Sequence, residues 1–323
     1  MRTGMIFSSL ILGTACSLSH AFSPLVQFAA TPSSKVNHVD SKTSSFEARI
    51  NRVNFINDRS RTITFMGWGP EPIWTEATVV SNSPACPSQS CVSLEVEVSS
   101  DVMEGYKTPG QYVQMNISTA DEDAKPIFLA IASPPLKEGD ENSSSTSFQF
   151  LIKKTDNNDW ITSAQPATKI AISQVMGGGF PIEENFEGFK YDFPTQNILL
   201  FACGSGIAPI RAAIESGQLQ VEKGRTARLY YGVQTPSEMA FADRFGIWER
   251  NGVEVVPVIS RPEECKEEWI GRTGYVQSAL EEDGVPVPRN SGALLCGVKG
   301  MTESVKDILT KAGCFEGRVL TNF

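Results

Sequence analysis

The sequence predicts a β-barrel followed by an α/β domain built on a parallel sheet. Between about Trp74 and Phe180, short runs with β-branched or alternating residues are separated by Pro, Gly, Asp and Ser, which is typical of a barrel or a sandwich. From about Gln196 onward, apolar runs alternate with helical patterns, and such alternation indicates a parallel sheet. We therefore expect the barrel at 72–182 and the α/β domain at 196–323.

The individual elements follow in chain order from these runs. The predicted barrel strands are "EATVVSN", "CVSLEVEVS", "GQYVQMNIS", "IFLAIAS" and "FQFLIKK". The predicted strands of the parallel sheet are "NILLFACG", "TARLYYGV", "VEVVPVIS" and "GALLCGV". Between and after them lie the predicted helices "GIAPIRAAIESG", "SEMAFADRFGIWERNG", "GYVQSALEEDG" and "TESVKDILTKAG".

Charge, hydropathy and histidine content exclude several classes of function. The net charge of −9 and the lack of a basic stripe argue against a nucleic-acid partner. Beyond the N-terminus, no apolar run reaches the ~20 residues that a membrane span needs. The only histidines, His20 and His38, precede residue 65, which excludes histidine catalysis or a His-ligated metal in the rest of the chain. The cysteine spacing matches neither an iron–sulfur cluster nor a zinc site, so we expect no metal.

The first 65 residues have the composition of targeting segments. Residues 1–21 combine a basic start, an apolar run and small residues at Ser19 and Ala21, as in a secretory signal peptide; a membrane anchor is the alternative. Residues 22–65 are Ser/Thr-rich and mildly basic, which is typical of transit peptides. Together they resemble the bipartite presequence of algae with secondary plastids, which implies import into the plastid (chloroplast) stroma. If 22–65 is a disordered linker instead, the protein is secreted.

A glycine turn between a strand and a helix marks a candidate phosphate site. In "LLFACGSGIAPIRAAIESG", Gly204 and Gly206 permit a tight turn and close approach of a ligand to the backbone. Pro209 has its φ preset for a first helical turn, and unpaired amides at a helix start attract anions. The fingerprint G-x-G-x-x-G is not met, and no acidic residue ends the next strand. An ordinary glycine turn is the alternative; if a nucleotide binds, the fold differs from the Rossmann type.

The segments that follow the strands point jointly to one family. Ligands of open parallel sheets bind outside the carboxyl ends of the strands, where this sequence has "CGSGIAP", "ISRPEE" and "CGVKGM". With the barrel in front, these segments resemble the ferredoxin–NADP reductase superfamily, and especially the plant "fruit protein" oxidoreductases, over about 72–323. The resemblance implies an FR-type FAD-binding barrel and a C-terminal NAD(P)-binding domain.

The resemblance places the flavin on "PGQYVQM" and "FLAIASPP", but one motif is altered. Where the family has R-x-Y-S, this chain has Ile127 to Ala130, so the Arg, Tyr and Ser side chains are missing. The main-chain N–H and C=O groups of this strand are unaffected by side-chain changes and could still bond the edge of the flavin ring. The three glycines of "VMGGGF" either expose amides that bind a phosphate or form a flexible turn. FAD is implied, with FMN left open. The candidate flavin-binding residues are Phe128, Leu129, Ala130, Ile131, Gly177, Gly178 and Gly179.

The resemblance also assigns residues to a nicotinamide nucleotide. NADP is implied, with NAD possible, because Thr273 replaces the family's Lys and leaves Arg272 as a substitute. Cys296 would lie near the nicotinamide C4, with Gly297 beside it and Met301 packed behind. Phe323 would cover the flavin, fill the place of the missing Tyr, or simply pack. The remaining candidates are Gly204, Ser205, Gly206 and Pro209 for pyrophosphate, Ser260 and Arg261 for the 2′-phosphate, and Tyr275 and Gln277 for the adenosine phosphate.

These features lead to the prediction of a flavoprotein that moves a hydride from NADPH to FAD and then electrons to an unidentified acceptor. The acidic charge after residue 65 argues against ferredoxin as that acceptor. A flavin- or nucleotide-binding sensor or assembly subunit without turnover is a second hypothesis, suggested by the altered motif. A third is a flavin-free NADP enzyme acting on a small carbonyl.

Overall fold

The computed structural model describes residues 71–322 except for 118–124, 137–145 and 189. The signal and transit peptides that the sequence predicts lie outside the described residues and remain predictions. Among the described residues, no helix combines the length and apolar character needed to cross a membrane.

The first domain is the antiparallel barrel that the sequence predicts. Its strands are β1 (Trp74–Pro84), β2 (Cys91–Glu97), β3 (Tyr112–Asn116), β4 (Ile127–Ala130), β5 (Ser147–Lys153) and β6 (Lys169–Ser173). They pair in the order β4-β3-β6-β1-β2-β5, and a bridge between Ile131 and Phe150 joins the two edges. Three short helices accompany them: α1 (Ser100–Glu104), α2 (Asp159–Thr162) and α3 (Ile182–Phe186).

Alternating side chains fill the barrel interior. In β2, Val92, Leu94 and Val96 are buried, and Leu94 and Val96 lie opposite Phe150 and Phe148 of β5. Full burial of each such side chain contributes about 1.5–3 kcal/mol. A slip of one residue would turn this whole set toward solvent, so the hydrophobic pattern fixes the register.

The second domain is a parallel sheet covered by helices, as predicted. Its strands are β7 (Asn197–Cys203), β8 (Thr226–Val233), β9 (Val253–Ile259), β10 (Arg272–Thr273), β11 (Ser291–Cys296) and β12 (Val319–Thr321). The strand order is β10-β9-β8-β7-β11-β12. The helices are α4 (Ile207–Glu215), α5 (Phe245–Arg250), α6 (Val276–Asp283) and α7 (Lys299–Ala312).

Strand β7 organises this sheet. Its residues alternate between two cores: Leu200 and Ala202 pack in the cluster that includes α4, whereas Leu199 and Phe201 pack with α6 and α7. The direction of chain progression also reverses at β7, because β8 to β10 lie on one side and β11 and β12 on the other. Ligands of open α/β sheets bind at such a switch point, outside the carboxyl ends of the strands.

A buried arginine of α4 joins the two domains. Arg211 is only 4% exposed and donates to the Gln149 side chain of β5 at 2.8 Å and to Glu215 at 3.0 Å. Its guanidinium also lies over the Phe241 ring, 4.6 Å from the centroid. Barrel residues such as Leu151 belong to the same hydrophobic cluster as α4. The domains therefore share one core, and Arg211 fixes the helix after the glycine turn against the barrel.

Replacing Arg211 with Met should lower the free energy of unfolding by about 1–3 kcal/mol, because the half-buried Gln149 side chain loses its donor, while Glu215 keeps Arg244 and Trp248 as partners. Urea-induced unfolding measures the effect. The matched control is Lys169→Met, since Lys169 forms an exposed pair with Glu76, and such pairs contribute about 0–1 kcal/mol. Equal losses for the two variants would contradict the structural role of Arg211.

Candidate functional site

A cavity of about 770 Å³ lies between the barrel and the carboxyl ends of β7 and β11. Its volume is within the ~300–1,000 Å³ range of small-molecule and cofactor sites. The predicted site residues that line it are Phe128, Leu129, Ala130, Gly177, Gly178, Ser205, Gly206, Pro209, Cys296 and Gly297. The structure adds lining residues that the sequence analysis did not single out: Tyr112, Leu151, Cys203, Ala208, Val298 and Asn322.

The barrel side of the cavity carries two aromatic rings. Tyr112 of β3 lies opposite Ala130 of β4, and its ring is 5.9 Å from that of Phe128, centroid to centroid. Phe128 is 60% exposed, so its ring is available to a ligand. Tyr112 follows the "PGQ" of the predicted flavin segment. Its place in that segment, next to the altered strand, was the sequence signal that could have identified it as a site residue. Its strand neighbour Ala130 occupies the family's Ser position, so Tyr112 brings an aromatic ring to the altered motif.

The three consecutive glycines, Gly177 to Gly179, have different roles at the cavity. Gly177 has φ +78°, and a Cβ there would come within 2.7 Å of the Tyr112 ring, so the glycine lets that ring lie against the main chain. Gly178 faces open space, with no atom within 4 Å of an added Cβ. Gly179 is buried behind the cavity wall, where a Cβ would meet the Pro109 carbonyl oxygen at 2.6 Å. Two of the three glycines thus face the cavity and the third shapes the turn.

Two other predicted residues also lie behind the wall. Ile131 is fully buried, and its main-chain N–H donates to the Gln111 carbonyl at 3.1 Å, so that N–H is not offered to a ligand. Met301 is buried and packs against Gly297, where an added Cβ would lie 2.8 Å from the Met301 Cε. Both residues therefore support the lining without forming it.

The glycine turn after β7 forms the opposite side of the cavity. Residues Gly204–Gly206 make one 3₁₀ turn that leads directly into α4. Gly204 has φ +53° and faces open space, whereas a Cβ on Gly206 would overlap the main-chain carbonyl of Cys296. Ser205 is exposed at the tip of the turn and Pro209 is buried in the first turn of α4. The small turn therefore allows the end of β11 to approach α4 closely.

Two thiols, one buried and one half-buried, lie at the ends of the central strands. Cys296 ends β11 and is 6% exposed; burial raises the pKa of its thiol to about 12. Burial likewise raises the pKa of Cys203, at the end of β7, to about 11. Both thiols are therefore neutral at physiological pH and act on a ligand through contact rather than as thiolates.

Asn322 contributes a buried amide to the cavity. The residue follows β12 and is 2% exposed, and neither its Oδ1 nor its Nδ2 has a nitrogen or oxygen hydrogen-bond partner among the described residues. The sequence analysis did not single out Asn322, and the available signal was its position directly before Phe323, for which a role over the flavin is predicted. Phe323, which the sequence analysis placed over the flavin, lies outside the described residues.

The predicted adenosine residues gather at the same edge of the sheet, outside the cavity lining. The loops after β8, β9 and β10 are joined by hydrogen bonds from Ser260 N–H to the Val233 carbonyl, 3.0 Å, and from Gly274 N–H to the Ile259 carbonyl, 2.8 Å. Tyr275, next to Gly274, is 64% exposed at the start of α6. The remaining members are Arg261, half-exposed and paired with Glu264 at 3.1 Å, and Gln277, whose buried Oε1 has no partner among the described residues.

Arg272 does not join this group. Its guanidinium pairs with Glu282 at 2.9 Å and with Asp283, both at the last turn of α6. That helix is about 12 Å long at 1.5 Å per residue, so the guanidinium lies roughly one helix length from Tyr275 at the other end. In this structure carboxylates at the end of α6 hold the Arg272 side chain, and its role in place of the family's lysine stays a prediction.

The fold and the cleft define a two-domain enzyme class in which a barrel and a nucleotide-binding sheet share one site. Residues 200–307 match the oxidoreductase NAD-binding domain family. The chain is 33% identical to the fruit protein pKIWI502 of Actinidia deliciosa over 256 residues, which cover 77% of this chain and 76% of the relative. It is 24% identical to the chloroplastic ferredoxin–NADP reductase of Mesembryanthemum crystallinum, over 64% of this chain and 60% of that protein.

Solved structures share the fold. A ferredoxin–NADP⁺ reductase from Neisseria gonorrhoeae with bound FAD and NADP aligns with a TM-score of 0.61 and 17% identity, over 78% of this chain and 98% of that one. The CS-b5R domains of human Ncb5or in the NAD⁺ form give a TM-score of 0.63 and 16% identity, over 79% and 70%. The chain belongs to the ferredoxin–NADP reductase superfamily, in the family of the plant fruit protein.

Gly206→Ala should destabilise the fold by about 3 kcal/mol, because the new Cβ meets main-chain atoms of β11 that cannot rotate away. Gly204→Ala is the matched control. Its Cβ meets no atom within 4 Å, so only the positive φ opposes it, at a cost of about 1 kcal/mol. Urea unfolding of both variants tests the difference, and a Gly204→Ala variant that is the less stable of the two would refute the close approach of α4 and β11.

The raised thiol pKa values predict a loss of stability in alkali. A thiol with a pKa of about 12 when folded and 9.0 when unfolded holds its proton longer in the folded chain. Its contribution to stability is therefore complete below pH 9 and is lost as the pH rises toward 12. Between pH 9 and 10.5, Cys296→Ala should lose stability more slowly than the wild type, by up to about 1.4 kcal/mol per pH unit. Parallel pH profiles in chemical denaturation would contradict the buried thiol.

Proposed function

We propose that the protein is an NAD(P)H-dependent flavin oxidoreductase that binds FAD and NADPH in the cleft and delivers electrons to an acceptor. The observation that carries this proposal is one cavity that five of the predicted flavin residues line from the barrel side and that Cys296 and Gly297 line from the sheet side. When bound, the flavin supplies the redox chemistry, accepting a hydride and passing electrons on. The protein's contribution is to hold the two rings in contact, which lowers the barrier through positioning.

The barrel side suits a flavin despite the altered motif. The rings of Tyr112 and Phe128 offer aromatic contact area beside the main chain of Leu129 and Ala130. Gly178 leaves open space where a side chain would otherwise stand. Consecutive glycine amides in the left-handed and neighbouring conformations favour anions, so the turn at Gly177 is suited to a flavin phosphate.

The sheet side suits a nicotinamide nucleotide. The Gly204–Gly206 turn presents main-chain amides at the start of α4, where the helix dipole favours a pyrophosphate. Arg261 is paired only with the half-exposed Glu264, and such surface pairs contribute about 0–1 kcal/mol. A 2′-phosphate, which accepts two parallel bonds from a guanidinium, can therefore displace that carboxylate, and this favours NADPH over NADH.

The cleft is suited to hydride transfer rather than to proton chemistry. The Cys296 and Cys203 thiols keep their protons at physiological pH, because burial raises both pKa values. They present compact, polarisable surfaces against which a nicotinamide ring can rest. Hydride transfer needs no general acid or base, so this lining is compatible with the proposed reaction. The named activity of the chloroplastic reductase relative and the FAD and NADP bound to the gonococcal reductase also support it.

The test is the visible spectrum of the purified protein before and after anaerobic addition of NADPH. We expect a flavin spectrum that bleaches on the order of a second or faster, within the usual range of enzyme turnover, and more slowly with NADH. A colourless protein that takes up no added FAD would overturn the proposal. A bound flavin that NADPH does not reduce would instead identify a binding subunit.

A matched pair of variants ties the result to the cleft. Gly178 and Gly300 both lack any atom within 4 Å of an added Cβ and both have φ outside the left-handed region, but of the two only Gly178 lines the cavity. Gly178→Val should fold and bind FAD at least tenfold more weakly, at about 1.4 kcal/mol per factor of ten. Gly300→Val should bind FAD as the wild type does.

A further inference from the structure

The amide of Asn322 is a buried hydrogen-bonding group with no nitrogen or oxygen partner among the described residues. The residue is 2% exposed, and its side chain interacts there with the Cys296 thiol, which is a weak hydrogen-bonding group. An unsatisfied buried polar group costs about 1–3 kcal/mol, and here two such atoms occur on one side chain. Because Asn322 lines the cavity, a ligand that pairs with the amide removes this cost.

Packing fixes where that amide lies. On one side, a Cβ added to Gly110 would lie 3.1 Å from the Asn322 Cβ, so the base of the side chain rests against the loop before β3. On the other side, the amide lies near enough to the Cys296 thiol to oppose the rise that burial causes in its pKa. The amide is therefore held on the sheet side of the cleft, beside Cys296.

The chemistry of the amide suits a particular kind of partner. A side-chain amide offers one acceptor and an adjacent donor, and a primary amide complements that pair, because the two groups form two parallel hydrogen bonds. A nicotinamide ring carries such a group, and the residues proposed to contact the ring, Cys296 and Gly297, lie on the same side of the cleft as Asn322. We propose that Asn322 binds the carboxamide of the nicotinamide ring and thereby fixes the orientation of that ring. This inference rests on the proposed function.

The first experiment compares NADPH with its reduced 3-acetylpyridine analogue, in which a methyl group replaces the carboxamide NH₂. The wild type should prefer NADPH in kcat/KM for flavin reduction, and Asn322→Leu should diminish that preference about tenfold, since the hydrogen bond to the NH₂ is lost. Asn322→Ala should show the same change. Because it removes side-chain atoms and adds none, it replaces the Leu variant in this experiment if that variant does not fold.

A binding measurement gives a readout that does not depend on turnover. Calorimetry compares the Kd of the unreactive 1,4,5,6-tetrahydro derivative of NADPH with that of 2′-phospho-ADP-ribose, which lacks the ring. In the wild type the ring should tighten binding, and the Asn322 variants should reduce that gain about tenfold. Asn185→Leu is the control. Asn185 is also a buried amide, 4% exposed, but its partners are the Pro181 carbonyl and Lys190, so its loss should change neither ratio.

The outcomes separate the inference from the function on which it rests. A wild type without preference for the carboxamide overturns the assignment of Asn322, whatever the variants do. Unchanged ratios together with weaker FAD binding in the Asn322 variants also overturn it, because the amide then serves the flavin. If NADPH fails to bleach the flavin while the calorimetric ratio still depends on Asn322, the inference stands and the proposed activity is wrong.

Discussion

The geometry of the cleft depends on the buried contact between Arg211 and Gln149. Arg211 belongs to α4, the helix that follows the glycine turn, and donates to the side chain of Gln149 in the barrel strand β5. The main-chain carbonyl of Gln149 accepts a hydrogen bond from the Ala132 N–H. One guanidinium therefore sets the distance between the two sides of the cavity. A charge buried at a domain junction requires several partners at once, and Glu215 and the Phe241 ring supply the others.

A second constraint lies at the centre of the parallel sheet, where small residues allow main chains to approach each other. Gly206 has no room for a Cβ because the Cys296 carbonyl lies against it, and Gly297 has none because Met301 and Cys203 surround it. These contacts bring the ends of β7 and β11 and the start of α4 together. The switch point of the sheet thereby becomes a closed wall on which a flat ring can rest, rather than an open gap between loops.

The barrel side of the cavity differs from the family motif in its side chains. The strand at Ile127–Ala130 lacks the Arg, Tyr and Ser of that motif, and its main chain pairs with β3. Tyr112 from that neighbouring strand brings an aromatic ring to the cavity, and Gly177 makes room for it. Function at such a site depends on which groups reach the cavity and not on which strand supplies them.

Local patterns of apolar residues and glycine turns in the sequence predicted the two domains, and the resemblance to the reductase superfamily supplied most of the predicted residues that line the cavity. The sequence did not show that Arg272 pairs with Glu282 and Asp283 of α6, because that pairing depends on how the helix packs. Only the tertiary structure decided that Tyr112 and Asn322 face the ligand space. Tyr112 lies in the predicted flavin segment and Asn322 directly precedes Phe323, but no local pattern records which of the side chains in such segments folding brings to the cavity.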